Sequence, residues 1–203
     1  LLVSIVSLSV AEAVPEQRDP NTLIIGHTTM MNGNFFSELW GNNTADIDVR
    51  SLLHEYPLIA WTSGGEYQVN GTVVRTLETT TADNGDRTYT VTLYDDLKYS
   101  DGSDITAKDY VFNFLLMSSP QIRELSGLSV TTDYIQGFKE YIDGDEPFFS
   151  GVRLIDDLTF SVLVTAENLP YYFELSYINN YPLPYKVLIP GSDIVDEGEG
   201  AFI

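Results

Sequence analysis

The sequence contains no cysteine and few basic residues. Without cysteine, a disulfide scaffold, a cysteine-ligated zinc or iron–sulfur centre and a cysteine nucleophile are all excluded. Only 10 lysine and arginine residues stand against 30 aspartate and glutamate residues, so the formal net charge is −20. A surface this acidic repels phosphate backbones and anionic lipid headgroups, which argues against a partner that is nucleic acid and against binding to an anionic membrane surface.

Signals for catalysis and for metal binding are also scarce. The two histidines, His27 and His54, lie far apart in the sequence, and the sequence indicates no partners for a triad or a metal site. The acidic stretch Asp143 to Glu146 (DGDE) lacks the spacing of a calcium-binding loop, which favours a solvated turn. There is no G-x-S-x-G motif and no phosphate-binding glycine loop. We therefore predict no catalytic residue, no metal site and no cofactor.

No apolar run reaches the roughly 20 residues that a membrane-spanning helix needs. The main apolar run is Leu1 to Val10 (LLVSIVSLSV), and Ala11-Glu12-Ala13 follows it. An apolar run before an A-x-A site is typical of the end of a secretory signal peptide. We interpret residues 1–13 as a signal-peptide remnant, and we expect the sequence to be a fragment cut at both ends. The alternative for the first residues is a buried strand.

The apolar content is sufficient for a folded core, since 43% of the residues are apolar and 13 tyrosines, 10 phenylalanines and two tryptophans are among them. In Thr88 to Leu93 the apolar side chains fall on alternate positions, which predicts a strand with one buried face. Asn70-Gly71 and Asp83 to Asp86 suit tight hairpins between strands. Similar β-branched, tyrosine-rich segments predict strands over 22–26, 67–70, 73–80, 87–94, 152–155 and 159–165.

Helical spacing is clearest after Thr106, which can cap a helix with Asp109 three residues later. The pattern predicts a helix from Ala107 to Ser118 that is ended by Pro120. Weaker helical patterns cover 46–61, where Pro57 interferes, 131–143 and 169–178. Strand clusters mixed with separate helices predict an α+β (mixed α/β) fold with β-hairpins and a few helices.

The loop from Met30 to Asn43 (MMNGNFFSELWGNN) combines aromatic rings with amides and glycines directly after the first predicted strand. Rings supply apolar contact area and asparagine side chains supply hydrogen-bond donors and acceptors, which together suit a ligand-binding wall. The alternative is a loop whose rings pack into the core. The candidate ligand-binding residues are Asn32, Phe35, Phe36, Trp40, Asn42 and Asn43.

The stretch Asp86 to Phe114 (DRTYTVTLYDDLKYSDGSDITAKDYVFNF) resembles the signature of the bacterial extracellular solute-binding proteins of family 5, the peptide- and nickel-binding components of ABC importers. The sequence departs from this signature at Tyr94, where the family usually has arginine or lysine. Val152 to Val164 and Pro182 to Lys186 resemble two later segments of the family. The matching residues in the signature are Tyr89, Val91, Leu93, Asp95, Asp96, Leu97, Lys98, Tyr99, Asp101, Gly102, Thr106, Ala107, Asp109 and Val111.

The resemblance, which covers about Thr22 to Ile189, implies a fold and a function. Family members are longer, and they fold as two lobes around a cleft with an extra subdomain on the first lobe. Residues 14–203 would then be the N-terminal part of the first lobe. The resemblance further implies a periplasmic or extracellular protein that captures a peptide or a similar small solute and passes it to the permease subunits of an importer. It also implies ligand contacts in the loop after the first strand.

Two other classes of function remain open at this point. A secreted hydrolase could use paired carboxylates. Among 30 acidic residues some pair always looks suggestive, so no particular pair is assigned this role. A sensor or interaction protein could use the same fold outside the cell without a transport partner. Turnover assays would separate the first class from a binding protein, and a neighbouring permease gene would argue against the second.

Overall fold

The computed structural model describes residues 20–22, 26, 28–33, 43–53, 56–126 and 132–203. The described helices are α1 (Thr44–Leu53), α2 (Ala107–Met117), α3 (Pro120–Ser126), α4 (Phe138–Asp143), α5 (Tyr185–Leu188) and the 3-10 helices Ala166–Asn168 and Glu174–Ile178. The described strands are β1 (Ile59–Trp61), β2 (Tyr67–Val69), β3 (Val74–Thr81), β4 (Arg87–Leu93), β5 (Val152–Leu154), β6 (Thr159–Val164), β7 (Val195–Asp196) and β8 (Ala201–Phe202).

The centre of the fold is a four-stranded antiparallel sheet with the strand order β3-β4-β6-β5. Val91 lies opposite Leu77 on one side and Phe160 on the other, so these three side chains share one face of the sheet. Tyr89, Val91 and Leu93 are buried, as the alternation in β4 predicted. The opposite face carries threonines such as Thr88 and is partly exposed, because a solvated sheet face needs no apolar side chains.

Helix α2 packs against β5 and β6 of the sheet and is buried along most of its length. The Asp109 carboxylate accepts a hydrogen bond from the backbone N–H of Thr106 at 2.8 Å and another from its hydroxyl at 3.0 Å. Burial raises the pKa of Asp109, although these hydrogen bonds oppose the rise. The predicted start of this helix is confirmed, and its last residue is Met117 rather than Ser118.

Replacing Thr106 by alanine should lower the free energy of unfolding by about 1 kcal/mol, because the Asp109 carboxylate would lose one of its donors at the helix start. Chemical denaturation of the two proteins measures this difference. Thr106→Ser is the matched control, since it keeps the hydroxyl and removes only the methyl group. Equal losses in the alanine and serine variants would show that the hydroxyl does not stabilise the helix.

Two segments cross closely where β5 begins. The N–H of Gly151 donates to the carbonyl of Gln136 at 3.0 Å, and the carbonyl of Gly151 accepts from the N–H of Leu163 at 2.8 Å. The N–H of Gln136 donates in turn to the carbonyl of Leu163 at 3.0 Å. A side chain on Gly151 would meet the backbone of Gln136, so only glycine permits this approach.

The C-terminal hairpin of β7 and β8 is attached to the sheet through Asp196. Its buried carboxylate accepts from Arg153 Nε at 2.6 Å, from Arg153 Nη2 at 3.1 Å and from the N–H of Leu154 at 3.1 Å. Because both carboxylate oxygens are used, the geometry is that of a bidentate pair. This pair holds the last strands of the chain against β5.

Several sequence predictions need correction. Asn70-Gly71 does not form a hairpin between β2 and β3, because β2 pairs with β1 and β3 pairs with β4. The side chain of Asn70 donates instead to the carbonyl of Pro57 at 2.9 Å. The helix predicted over 46–61 ends at Leu53, and β1 follows.

The weaker helical patterns are only partly confirmed. Within 131–143, the helix covers Phe138–Asp143, and within 169–178 a 3-10 helix covers Glu174–Ile178. Pro120 begins α3, a position where its missing N–H costs no helical hydrogen bond. The first predicted strand, over 22–26, lies largely outside the described residues. The mixed α/β class is confirmed. Among the described helices, none combines the length and the apolar composition needed to cross a membrane.

Candidate functional site

Of the six predicted ligand-binding residues, the structure describes Asn32 and Asn43. The Asn43 side chain accepts the N–H of Ala45 at 2.8 Å and donates to the carbonyl of Met30 at 2.8 Å. Asn43 therefore caps α1 and ties the preceding loop to that helix. Both the oxygen and the nitrogen of the Asn43 amide thus make structural hydrogen bonds, which the sequence did not indicate.

Asp46 holds the other end of the same loop. Its carboxylate is fully buried in the first turn of α1 and accepts the N–H of Asn32 at 3.0 and 3.2 Å. It also accepts the N–H of Gly33 at 3.3 Å. A carboxylate is favourable here because the helix N-terminus is electropositive. Residues 33 and 43 are thus both anchored at the start of α1.

Phe35, Phe36, Trp40 and Asn42 lie outside the described residues. Their assignment to a ligand wall stays a prediction. Asn32 meets Asp46 through its backbone N–H and not through its side-chain amide.

An open cavity of about 750 Å³ lies beside the C-terminal end of α1. Leu52 and Leu53 contribute exposed apolar surface to it, and the segment of Pro182 to Pro184 forms part of its wall. The volume and the apolar lining are in the range of pockets that hold small molecules. Its lining residues are Leu52, Leu53, Tyr56, Lys98, Tyr99, Ser100, Ile105, Pro182, Leu183 and Pro184.

The polar groups of this cavity are few. The hydroxyl oxygen of Tyr99 is buried next to the Asp109 carboxylate, although the two groups do not meet the geometric criteria for a hydrogen bond. Burial and the Asp109 carboxylate raise the pKa of Tyr99, so the hydroxyl keeps its proton. Lys98 forms an ion pair with Asp104 at the edge of the cavity.

Tyr56 lines the cavity with an unusual backbone conformation. Its φ of 65° lies in the left-handed region, which is uncommon for a residue other than glycine. The carbonyl of Tyr56 accepts the Tyr110 hydroxyl at 2.8 Å, and this bond fixes the turn between α1 and β1. Outliers of this kind are found at binding sites more often than elsewhere.

None of these cavity residues was predicted to bind a ligand. Leu52 and Leu53 fall within the helical pattern over 46–61, and Lys98 and Tyr99 are among the residues that match the family signature. Nothing in the local sequence distinguishes Tyr56. His27 and His54 lie outside the described residues, and no group of three or more potential metal ligands occurs in the part of the chain that the structure describes.

The fold is shared with part of the two-lobed periplasmic binding proteins. A solved structure described as Listeria monocytogenes OppA bound to peptide superposes with a TM-score of 0.58 at 23% identity. The superposition covers 74% of this chain and 28% of that one. At this identity the likeness establishes the fold alone.

The family follows from the sequence match. Residues 72–199 match the model of the bacterial extracellular solute-binding proteins, family 5, and the chain belongs to that family. The periplasmic oligopeptide-binding protein OppA of Escherichia coli is 33% identical over 95 residues, which are 46% of this chain and 17% of that protein. The dipeptide-binding protein of Lactococcus lactis is 35% identical over 103 residues, 50% of this chain and 18% of that protein. The chain thus aligns with less than a fifth of the length of these curated relatives.

Proposed function

We propose that this chain is part of the extracellular substrate-binding component of an ABC importer, which captures peptides or similar small solutes and passes them to permease subunits. The observation that carries the proposal is the family match over residues 72–199. The relatives support peptides as the solute, because they include an oligopeptide-binding and a dipeptide-binding protein.

The proposed mechanism needs no covalent chemistry. A solute binds between two lobes, and contacts to both lobes stabilise the closed state of a hinge. Residues 14–203 supply one wall of this cleft and belong to the first lobe, after removal of residues 1–13 as a signal peptide. The protein then acts on the outer face of the cytoplasmic membrane and is not an enzyme.

Two features of the described residues fit a wall of this kind. Asp46 and Asn43 bond residues 30, 32 and 33, which precede the other predicted ligand residues, to the start of α1. The cavity beside α1 offers apolar surface with few polar groups. Preorganised apolar walls with few polar groups are typical of small-molecule sites.

Isothermal calorimetry with the full-length protein tests the proposal. Di- to pentapeptides should bind, and the fragment of residues 14–203 should bind them much more weakly, because one wall buries only part of a ligand. The same peptides are incubated with the protein and then checked for cleavage by mass spectrometry. No binding of any peptide by the full-length protein, or cleavage that depends on one carboxylate, would contradict the proposal.

Trp40 is the strongest single candidate for a ligand contact, because it has the largest ring in the predicted wall and an indole N–H. Trp40→Ala in the full-length protein should weaken peptide binding by more than about 1 kcal/mol while the fold stays intact. Trp40→Phe is the matched control, since it retains an aromatic ring. Loss of stability with unchanged affinity would place Trp40 in the core instead.

A further inference from the structure

Five aromatic rings form a continuous group on the surface between the β1–β2 hairpin and the segment before the 3-10 helix Glu174–Ile178. The centroids of Trp61 and Tyr67 are 4.7 Å apart, and that of Phe173 lies 5.7 Å from Tyr67. Tyr172 and Tyr171 lie 4.7 and 6.0 Å from Phe173. We call these five residues, Trp61, Tyr67, Tyr171, Tyr172 and Phe173, the aromatic surface.

These rings are more exposed than packing in a core would leave them. Tyr172 exposes 85% of its surface, Trp61 59% and Tyr171 43%. By contrast, the stacked rings of Tyr141 and Phe149 are buried in the core. A contiguous exposed apolar patch is uncommon on a protein surface and marks a binding surface.

The hairpin and the neighbouring segment fix the geometry of the aromatic surface. Trp61 lies directly opposite Tyr67 in the β1–β2 ladder, so the two rings share one face of the hairpin. Glu174 follows Phe173, and its carboxylate is bound by Arg87 and by the Tyr89 hydroxyl, the latter at 3.1 Å. These contacts attach the segment that carries Tyr172 and Phe173 to β4 of the central sheet.

The charge around the rings is negative. A cavity of about 270 Å³ is lined by Tyr67, Tyr172 and Phe173 together with Glu66, Glu174 and Leu175. The positive charge of Arg87 is already paired with Glu174. Glu66 is exposed at the end of the hairpin turn and lines this cavity together with the rings of Tyr67 and Tyr172. Ring faces next to a carboxylate attract cations, because the quadrupole of each ring is negative at its face.

We propose that the aromatic surface binds arginine and lysine side chains of a basic, extended peptide segment. The guanidinium or ammonium group lies over the faces of Trp61 and Tyr172, and Glu66 contributes the opposite charge. The proposal rests on the exposed rings and on Glu66, so it does not require peptide capture between the lobes.

Charge decides between this occupant and a second copy of the chain. The net charge of −20 opposes close approach of two copies, and the same charge attracts a basic partner over a distance of about one Debye length. Arginine and lysine also carry aliphatic stems, which can cover the exposed edges of Phe173 and Tyr171. A basic segment therefore complements both the apolar area and the negative charge of the aromatic surface.

The test uses the full-length protein and a probe with acetylated N-terminus and amidated C-terminus, Arg-Gly-Arg-Gly-Arg. Blocked termini reduce binding that depends on charged peptide ends. The indole N–H signal of Trp61, assigned by its loss in Trp61→Phe, reports on binding in a two-dimensional NMR titration at low salt. The control probe carries citrulline in place of arginine, which keeps the shape and removes the charge.

We expect the arginine probe to shift the Trp61 signal and the citrulline probe to bind at least tenfold more weakly. Trp61→Ala and Tyr172→Ala, followed by calorimetry, should each weaken the arginine probe at least threefold, and Glu66→Gln should also weaken it. Tyr94→Ala, which removes an exposed tyrosine outside the aromatic surface, should leave its affinity unchanged. Because Trp61 and Tyr172 are exposed, these variants are expected to fold, and circular dichroism checks this.

Three results would overturn the proposal. The first is equal affinity for the citrulline probe, which would indicate a neutral apolar site. The second is unchanged binding in both Trp61→Ala and Tyr172→Ala, which would place the probe elsewhere. The third is a Trp61 signal that responds to dilution of the protein and not to the probe, which would indicate contact between copies. Peptide binding in the cleft is measured separately with unblocked peptides, so failure of either proposal leaves the other testable.

Discussion

Gly151→Ala is expected to lower the free energy of unfolding by about 3 kcal/mol. A β-carbon at this position would lie 2.7 Å from Ile135 Cγ2 and 2.9 Å from the backbone nitrogen of Gln136, and it would also contact the carbonyl oxygen of Gln136. Two of these three atoms belong to the backbone, so they cannot move away by a change of rotamer. Overpacking of a tight site costs about 1–3 kcal/mol, and here it also strains hydrogen bonds.

The hydrogen bonds explain why the site cannot relax. Gly151 both donates to Gln136 and accepts from Leu163, while Gln136 donates to Leu163. Making room for a methyl group would move Gly151 away from Gln136, which lengthens the bond between them and disturbs the bonds that both residues make to Leu163. Urea denaturation, with midpoint and slope both measured, gives the change in stability.

Gly71→Ala is the matched control for this variant. A β-carbon at Gly71 has no neighbour within 4 Å, and Gly71 has no positive φ. Its replacement should change the stability by no more than about 0.5 kcal/mol. If both glycine variants lost the same stability, the close crossing at Gly151 would not contribute, and the loss would reflect only the general effect of replacing glycine.

The elements that were predicted correctly have short-range signals. The alternation from Thr88 to Leu93 describes one strand with one buried face, and it holds because β4 lies inside the sheet with α2 on one side. The start of α2 depends on Thr106 and Asp109, which are three residues apart. Such patterns can be recognised in the sequence because the residues that interact are only a few positions apart.

The features that were missed depend on contacts between distant segments. Asn70-Gly71 has the sequence of a hairpin turn, yet Asn70 bonds to Pro57 and its N–H bonds to Leu58, which directs β2 towards β1. No local pattern at Gly151 indicates that Gln136 will cross it. The aromatic surface similarly joins a hairpin around Tyr67 to a segment more than 100 residues later.

The candidate site shows the same division between local and long-range information. The resemblance to a family pointed to the loop before α1, and the structure adds the anchor at Asp46 and Asn43. The cavity beside α1 could not be predicted, because separate segments of the chain form it.

Phe160→Ala should cost the fold about 3–5 kcal/mol, since it removes the ring at the centre of the contact between the sheet and α2. Phe160 is fully buried, lies opposite Val91 in the sheet, and stacks on Tyr110 with a centroid distance of 5.9 Å and an interplanar angle of 11°. The ring of Phe114 lies 6.5 Å away. Alanine would leave a cavity bordered by side chains of two elements that are each fixed by their own hydrogen bonds, so the space cannot close completely.

Two further variants separate the cavity from other causes of instability. Phe160→Leu keeps most of the apolar volume and should lose less than half as much stability as Phe160→Ala. Leu163→Ala changes the same strand on the opposite, partly exposed face and should cost about 1 kcal/mol, because less apolar area is lost from the interior. If Leu163→Ala proved as damaging as Phe160→Ala, the main core would lie on the other face of the sheet. The two faces of β6 would then have been assigned wrongly, and the contact between α2 and the sheet could not be what stabilises this part of the protein.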